Sequence, residues 1–189
     1  MQSYRLVKKS KFKQVIKVGN DQYGFIPDLE RITLGEYADI EHYIKGGIEK
    51  NMPNIVAILY RPITQTEGKY YSIEAYDSST MRLRARKFLE MKAQEVQQAL
   101  VFFLDFRKRA IKNFAVVFNG QVKEGEATVD EQFAKKWGWF GVMYRLTNGE
   151  IVNLDRITKL SLYECLTWLS YETDLNTTQN TNYGKRQDV

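Results

Sequence analysis

The sequence predicts a mainly α fold: a helical domain with a small N-terminal β-hairpin and a flexible polar C-terminal tail. Three observations predict it. The only prolines are Pro27, Pro53 and Pro62, so no proline interrupts a potential helix from Ile63 onward. Beyond Ser78, apolar residues recur at steps of three and four between capping and stop signals. Before Phe25, β-forming residues flank the turn-forming run Gly19-Asn20-Asp21 instead. The expected organisation is a basic N-terminal arm or hairpin over residues 1–25, a helical domain over 26–175 and a flexible tail over 176–189.

Each element has its own signal. Phe12, Val15, Ile16 and Val18 lead into the turn, and Tyr23 and Phe25 follow it, so a short hairpin is expected. A first helix is predicted over Thr33–Lys45, carrying Leu34, Tyr37, Ala38, Ile40, Tyr43 and Ile44 near helical spacing. Thr33 and Glu36 form a capping-box pattern at its start, and Gly46-Gly47 ends it. In the next helix Asn51 is the expected cap, Pro53 sits early, Ile55, Ile58 and Leu59 repeat, and Pro62 is the stop. The polar, Tyr-rich run Ile63–Tyr76 reads as a loop or a strand pair.

Ser78 or Ser79 is expected to cap a helix bearing Met81, Ala85, Phe88 and Leu89. The strongest periodicity follows, through Val96, Ala99, Leu100, Phe103, Phe106, Ala110, Phe114 and Val117, ending at Asn119-Gly120. A polar loop is expected over Gly120–Ala127, and Thr128 as the cap of a helix with Asp130 and Glu131 in its first turn. That helix carries Phe133, Trp137, Phe140, Met143 and Tyr144 and stops at Asn148-Gly149. Ser161 and Glu164 form a second capping box, opening a helix with Leu162, Cys165, Leu166 and Leu169 on its stripe. After Leu175 the chain is Asn, Thr, Gln, Gly and charge with one aromatic, Tyr183, too polar to bury much alone.

Composition narrows the function classes. With 43% hydrophobic and 27% charged residues, the chain is that of an ordinary globular protein and not a disordered one. Its 12 Tyr, 10 Phe and 3 Trp suit either an interface or a core that needs bulk. The net charge of +5 permits phosphate contact without requiring it. A single Cys precludes an internal disulfide framework and makes a reducing compartment the default. No stretch approaches the roughly 20 apolar residues of a membrane span. Met1–Lys17 is basic but no apolar run follows it, so no secretory signal is expected.

Little in the sequence supports catalysis, and no catalytic residue, metal site or cofactor is expected. His42 is the only histidine and lacks neighbours at metal-ligand spacing. Cys165 lies on an apolar stripe, where a free thiol behaves as a small hydrophobe, and His42 is the only imidazole that could activate it. Gly46-Gly47 follows a helix and lacks the Lys-Ser/Thr of a phosphate loop. The carboxylates show no acid/base spacing.

Two kinds of surface feature remain. Arg82 and Arg86, with Arg84 and Lys87, form one basic cluster, and Lys108 and Lys112, with Arg107 and Arg109, form another. Both read as solvated helix exteriors or as phosphate contacts, which would make the chain a nucleic-acid-binding protein. Lys9, Lys11 and Lys13 alternate and would protect an edge strand. The most distinctive local feature is Trp137-Gly138-Trp139-Phe140. On one helix Trp137 and Phe140 share a face and Trp139 does not. Either that helix is buried on several sides, or Trp139 faces a partner; Gly138 would allow a close backbone approach. Trp137, Trp139, Phe140 and Tyr144 are the candidate interface.

The order of several short motifs adds a family expectation. They are Leu34-Gly35-Glu36-Tyr37, Ile58-Leu59-Tyr60-Arg61-Pro62, Phe102-Phe103, Trp137-Gly138-Trp139-Phe140, Tyr144-Arg145-Leu146, Leu154 with Ile157, and Leu162-Tyr163-Glu164 through Leu166, Leu169 and Tyr171. Together, over roughly residues 25–175, the chain resembles small proteins of tailed bacteriophages infecting Bacteroidetes (crAss-like and related phages), described as tail-assembly chaperones or tail, connector and baseplate components. The resemblance implies a non-enzymatic protein working by protein–protein contact in the cytoplasm of the infected bacterium. Its partners would be other phage tail or connector proteins, in a homo- or hetero-oligomer, with retention in the virion left open. It implies no catalytic residues and no membrane association.

Overall fold

The computed structural model describes residues 13–68, 70–118, 132–133 and 136–187, residues 180–187 by backbone alone. The fold is mainly α with an N-terminal four-stranded antiparallel sheet. The strands are β1 (Val15–Val18), β2 (Asp21–Phe25), β3 (Tyr60–Glu67) and β4 (Tyr70–Ile73), in spatial order β1-β2-β3-β4. The helices among the described residues are α1 (Leu34–Lys45), α2 (Ile48–Leu59), α3 (Ser78–Ala85), α4 (Ala93–Asn113), α5 (Ala115–Phe118), α6 (Trp139–Leu146), α7 (Leu154–Thr158) and α8 (Leu162–Gln187). They form two compact units. Unit 1 takes the described residues of Met1–Leu29 and Ile40–Asp105, and unit 2 those of Glu30–Asp39 and Phe106–Val189. Helices α1 and α4 thus contribute different parts of their length to two cores, and the unit boundaries fall inside helices.

In unit 1 the expected hairpin forms over β1 and β2, with Val18 paired to Asp21. Gly19 takes φ +59° while Asn20 stays at negative φ, the pattern of a two-residue II′ turn. The Tyr-rich run, read as a loop or strand pair, is the pair β3–β4, and it starts earlier than expected, at Tyr60. Pro62 therefore does not end a helix; it lies in β3 opposite Tyr23, and its carbonyl accepts from Glu74 N–H at 2.9 Å. Proline is tolerated there because the β3–β4 register slips between Ile63 and Gln65, beside it. Gly24 permits a further contact. A Cβ there would meet the Tyr71 ring and come within 2.8 Å of Ile73 Cγ2, so the ring of a β4 residue lies across β2 only because residue 24 has no side chain. The Tyr71 hydroxyl is tied down by donating to the Phe25 carbonyl at 2.8 Å.

The helices of unit 1 cover this sheet with apolar side chains. Tyr23 packs edge-to-face on Phe88 at 4.9 Å, and Phe25 likewise on Tyr60 at 5.2 Å and Phe102 at 5.6 Å. Ile55 to Leu59 are all buried at the end of α2. That helix starts one turn before the expected Asn51 cap, because Gly47 at φ +104° provides the entry bend. Asn51 instead donates its side-chain amide back to the Gly47 and Tyr43 carbonyls, tying α2 to the end of α1. The cap of α3 is Asp77, not Ser78 or Ser79. Its carboxylate accepts from Thr80 N–H at 2.8 Å and from the Ser79 hydroxyl, bonds that hold it below the usual carboxylate range. A carboxylate is the stronger acceptor at the positive end of a helix. After Arg86 the chain tightens into a 3-10 turn over Lys87–Glu90, which shifts the phase, burying Phe88 but leaving Leu89 exposed.

Unit 2 is organised by two helix starts laid side by side. Thr33 and Ser161 form an antiparallel bridge, with Leu34 N–H donating to Leu160 and Leu162 N–H to Ile32. Both capping boxes form as expected. Glu36 accepts from Thr33 N–H at 2.7 Å and donates its own N–H to the Thr33 hydroxyl; Ser161 and Glu164 repeat the pattern at 3.0 and 3.2 Å. Leu34, Tyr37, Phe106, Ala110, Leu162, Cys165, Leu166 and Leu169 are buried here. The long helix breaks at Phe114, whose ring packs edge-to-face on Tyr163 at 5.2 Å, and α5 resumes beyond it and packs on α8. The expected stop at Asn119-Gly120, the loop to Ala127 and the Thr128 cap lie outside the described residues.

Helix α8 continues through 176–187, the stretch that the sequence reads as a flexible polar tail. No proline interrupts it, and its hydroxyls are absorbed locally: Thr173, Thr177 and Thr178 each donate to the carbonyl four residues back at 2.8–2.9 Å.

Candidate functional site

The predicted aromatic cluster is interrupted by its glycine. Gly138 adopts φ +50°, so Trp137 ends one helical piece and Trp139 begins α6. A Cβ on Gly138 would meet nothing within 4 Å. Its role is the backbone bend and not the close approach of a neighbour. The bend sets Trp139 apart from the other rings. Trp139 is half-buried, edge-to-face against Tyr37 at 5.0 Å and Phe118 at 6.0 Å, whereas Trp137, Phe140 and Tyr144 are exposed.

The exposed rings form a ladder. Phe133 stands 6.2 Å from Trp137, and Trp137 5.7 Å from Phe140, with the Lys136 ammonium 5.2 Å over the Trp137 ring. Tyr144 lies one turn beyond Phe140 and is 61% exposed. Its ring packs against the Gly149 backbone, where Asn148 and Gly149 at positive φ end the helix as expected. A second exposed stripe was missed by the sequence reading. Trp168 and Tyr171 are 64% and 63% exposed and Leu175 is 40% exposed. The helical period places them opposite the buried Leu162, Cys165, Leu166 and Leu169. A helical projection from the Ser161 cap would have found them. An Arg145–Glu172 ion pair at 2.9 Å joins α6 to α8, one residue past Tyr144 and Tyr171.

Exposed aromatic rings in such number need an account. Each leaves on the order of 100 Å² in contact with water, so the Phe133–Trp137–Phe140 ladder alone exposes roughly a few hundred Å² of ring surface. Tyr and Trp are the residues enriched where proteins bind one another.

The remaining sequence candidates are placed as follows. Arg82 and Arg86 are exposed in unit 1, and Lys108 and Lys112 are exposed in unit 2. Arg84 and Lys87 are committed to ion pairs, with Glu74 at 2.8 Å and Asp21 at 2.7 Å. Lys13 pairs with Glu95 at 2.8 Å, while Lys9 and Lys11 lie outside the described residues. His42 is exposed against Tyr43. Cys165 is buried, and burial first, then the Glu164 charge, pushes its thiol up to about 11. That is the opposite of an activated nucleophile, with on the order of one thiol in a thousand ionised at pH 8. A disulfide reagent is therefore expected to label Cys165 only as the chain unfolds. Equally fast labelling of native and urea-unfolded chains would contradict this burial.

Among the described residues, no three His, Cys, Asp or Glu side chains gather as a metal ion requires, and no helix is long and apolar enough to cross a membrane. No family model, curated protein or solved structure matches the chain.

Proposed function

We propose that this chain is a non-enzymatic binding protein of a tailed bacteriophage, working in the infected cell by holding or joining other tail or connector proteins. The observation that carries the reading is the aromatic surface of unit 2: the Phe133–Trp137–Phe140 ladder, Tyr144, and the Trp168–Tyr171–Leu175 stripe. Rings that a core could have used are held at the surface, Trp168 and Tyr171 on a helix whose opposite stripe, Leu162, Cys165, Leu166 and Leu169, is buried. The resemblance of the short motifs to those of phage tail-assembly proteins directs the choice of partner.

The test is co-expression with the tail and connector proteins of the same phage, followed by light scattering on the separated complexes. A stable complex or oligomer is expected. Replacing Trp168 and Tyr171 with Ser should leave the helical signal intact, since exposed substitutions cost no more than about 0.5 kcal/mol each. It should weaken the complex by roughly 30-fold or more, the worth of a hot-spot aromatic. A chain that stays monomeric and binds none of these proteins would overturn the reading. Steeply salt-dependent DNA or RNA binding lost in Arg82→Glu/Arg86→Glu would replace it with a nucleic-acid function.

A further inference from the structure

Unit 1 contains a cleft of about 760 Å³ that the aromatic surface does not include. Asp21, Gln65, Glu74, Leu83, Arg84 and Lys87 are among the residues lining it. Arg84 is the unusual member, since its side chain is only 9% exposed. Its Nη1 donates to Glu74 at 2.8 Å and to the Thr80 hydroxyl at 3.3 Å. Its Nε and Nη2 are buried and have no hydrogen-bond acceptor among the described residues. Those two atoms form one edge of the guanidinium, the planar fork that matches the two oxygens of a carboxylate. A buried cationic donor left unmet is costly, and a second acceptor on this edge would remove the cost.

We propose that this cleft binds a carboxylate, gripped by the Nε–Nη2 edge of Arg84 while Glu74 keeps Nη1. Charge selects the ligand class. Asp21 cancels Lys87 and Glu74 cancels Arg84, so the four charges sum to zero. One added negative charge gains a bidentate partner, whereas a phosphate dianion would bring two with no second cation unengaged. Gln65 and Leu83 at the lining are exposed side chains, able to shift as the carboxylate enters, while Lys87 keeps its pair with Asp21. The carboxylate could belong to a small acid or to a peptide, and the inference is independent of what the aromatic surface binds.

The test reads Arg84 directly in the full chain. Its Nε–H resonance, assigned through its own backbone, is followed while sodium acetate replaces sodium chloride at constant ionic strength. A saturable downfield shift is expected with acetate and none with acetamide, which has the same shape and no charge. Arg84→Lys, which keeps a cation for Glu74 but loses the fork, should weaken acetate binding by roughly tenfold. Acetyl-triglycine binding more tightly than acetate would place the source in a peptide terminus, and equal affinities in a small acid. No saturable response at Arg84, or the same response to acetamide, would overturn the proposal; it needs no variant and so holds even if Arg84→Lys fails to fold.

Discussion

Replacing Gly24 with alanine is expected to destabilise unit 1 by about 3 kcal/mol, the upper end of what overpacking a filled core costs. The new Cβ would lie 2.7 Å from Tyr71 Cδ2 and 2.8 Å from Ile73 Cγ2, closer than carbon atoms tolerate. The ring cannot simply swing away. Its hydroxyl donates to the Phe25 carbonyl at 2.8 Å and lies 3.3 Å from the Gln14 carbonyl, so moving it breaks the bonds that tie β4 across β2 to the segment before β1. Urea unfolding of the full chain measures the cost. Gly68→Ala is the control: it meets open space and pays only for its left-handed backbone, at φ +59°, about 1 kcal/mol. In a Tyr71→Ala background the Gly24→Ala penalty should shrink. Equal penalties in the two backgrounds would rule out the ring as the cause.

Phe106→Ala should cost about 3–5 kcal/mol, the range for deleting a buried aromatic. Phe106 has no exposure, and its ring is stacked on Tyr163 at 6.0 Å within unit 2. Such a loss is a large share of the 5–15 kcal/mol by which domains are usually stable. Trp168→Ala in the same unit removes a larger ring, yet should change stability by no more than about 0.5 kcal/mol, because that ring is mostly in water. The pair separates packing from binding: the first variant should unfold at lower urea, and the second should fold normally but lose its partner. A Trp168→Ala chain as unstable as Phe106→Ala would mean that the exposed face is structural.

The places where sequence reading succeeded and failed share a pattern. The two capping boxes, Thr33/Glu36 and Ser161/Glu164, form as read because a helix start is a matter of four consecutive residues. The hairpin about Gly19 and the stop at Asn148-Gly149 are equally local. The reading lost Tyr60–Pro62 to a helix stop because strand pairing with Tyr23 is remote in sequence. It left open whether Trp139 is buried or faces a partner, because one residue's φ, at Gly138, changes the phase of every ring after it. Trp168 and Tyr171 lie opposite the apolar stripe of α8, where the same helical period that locates the buried face also places them.

By itself, then, the sequence determined the capped starts at Thr33 and Ser161, the long helical run of α4, and the buried stripes of α1, α4 and α8. These follow from periodicity and from hydrogen bonds between near neighbours. Only the tertiary structure decided that the Tyr-rich run completes a four-stranded sheet, that α1 and α4 serve two cores, and which aromatic rings remain in water. Those outcomes depend on which surfaces meet, and an apolar side chain carries no record in its own neighbourhood of whether another element will cover it.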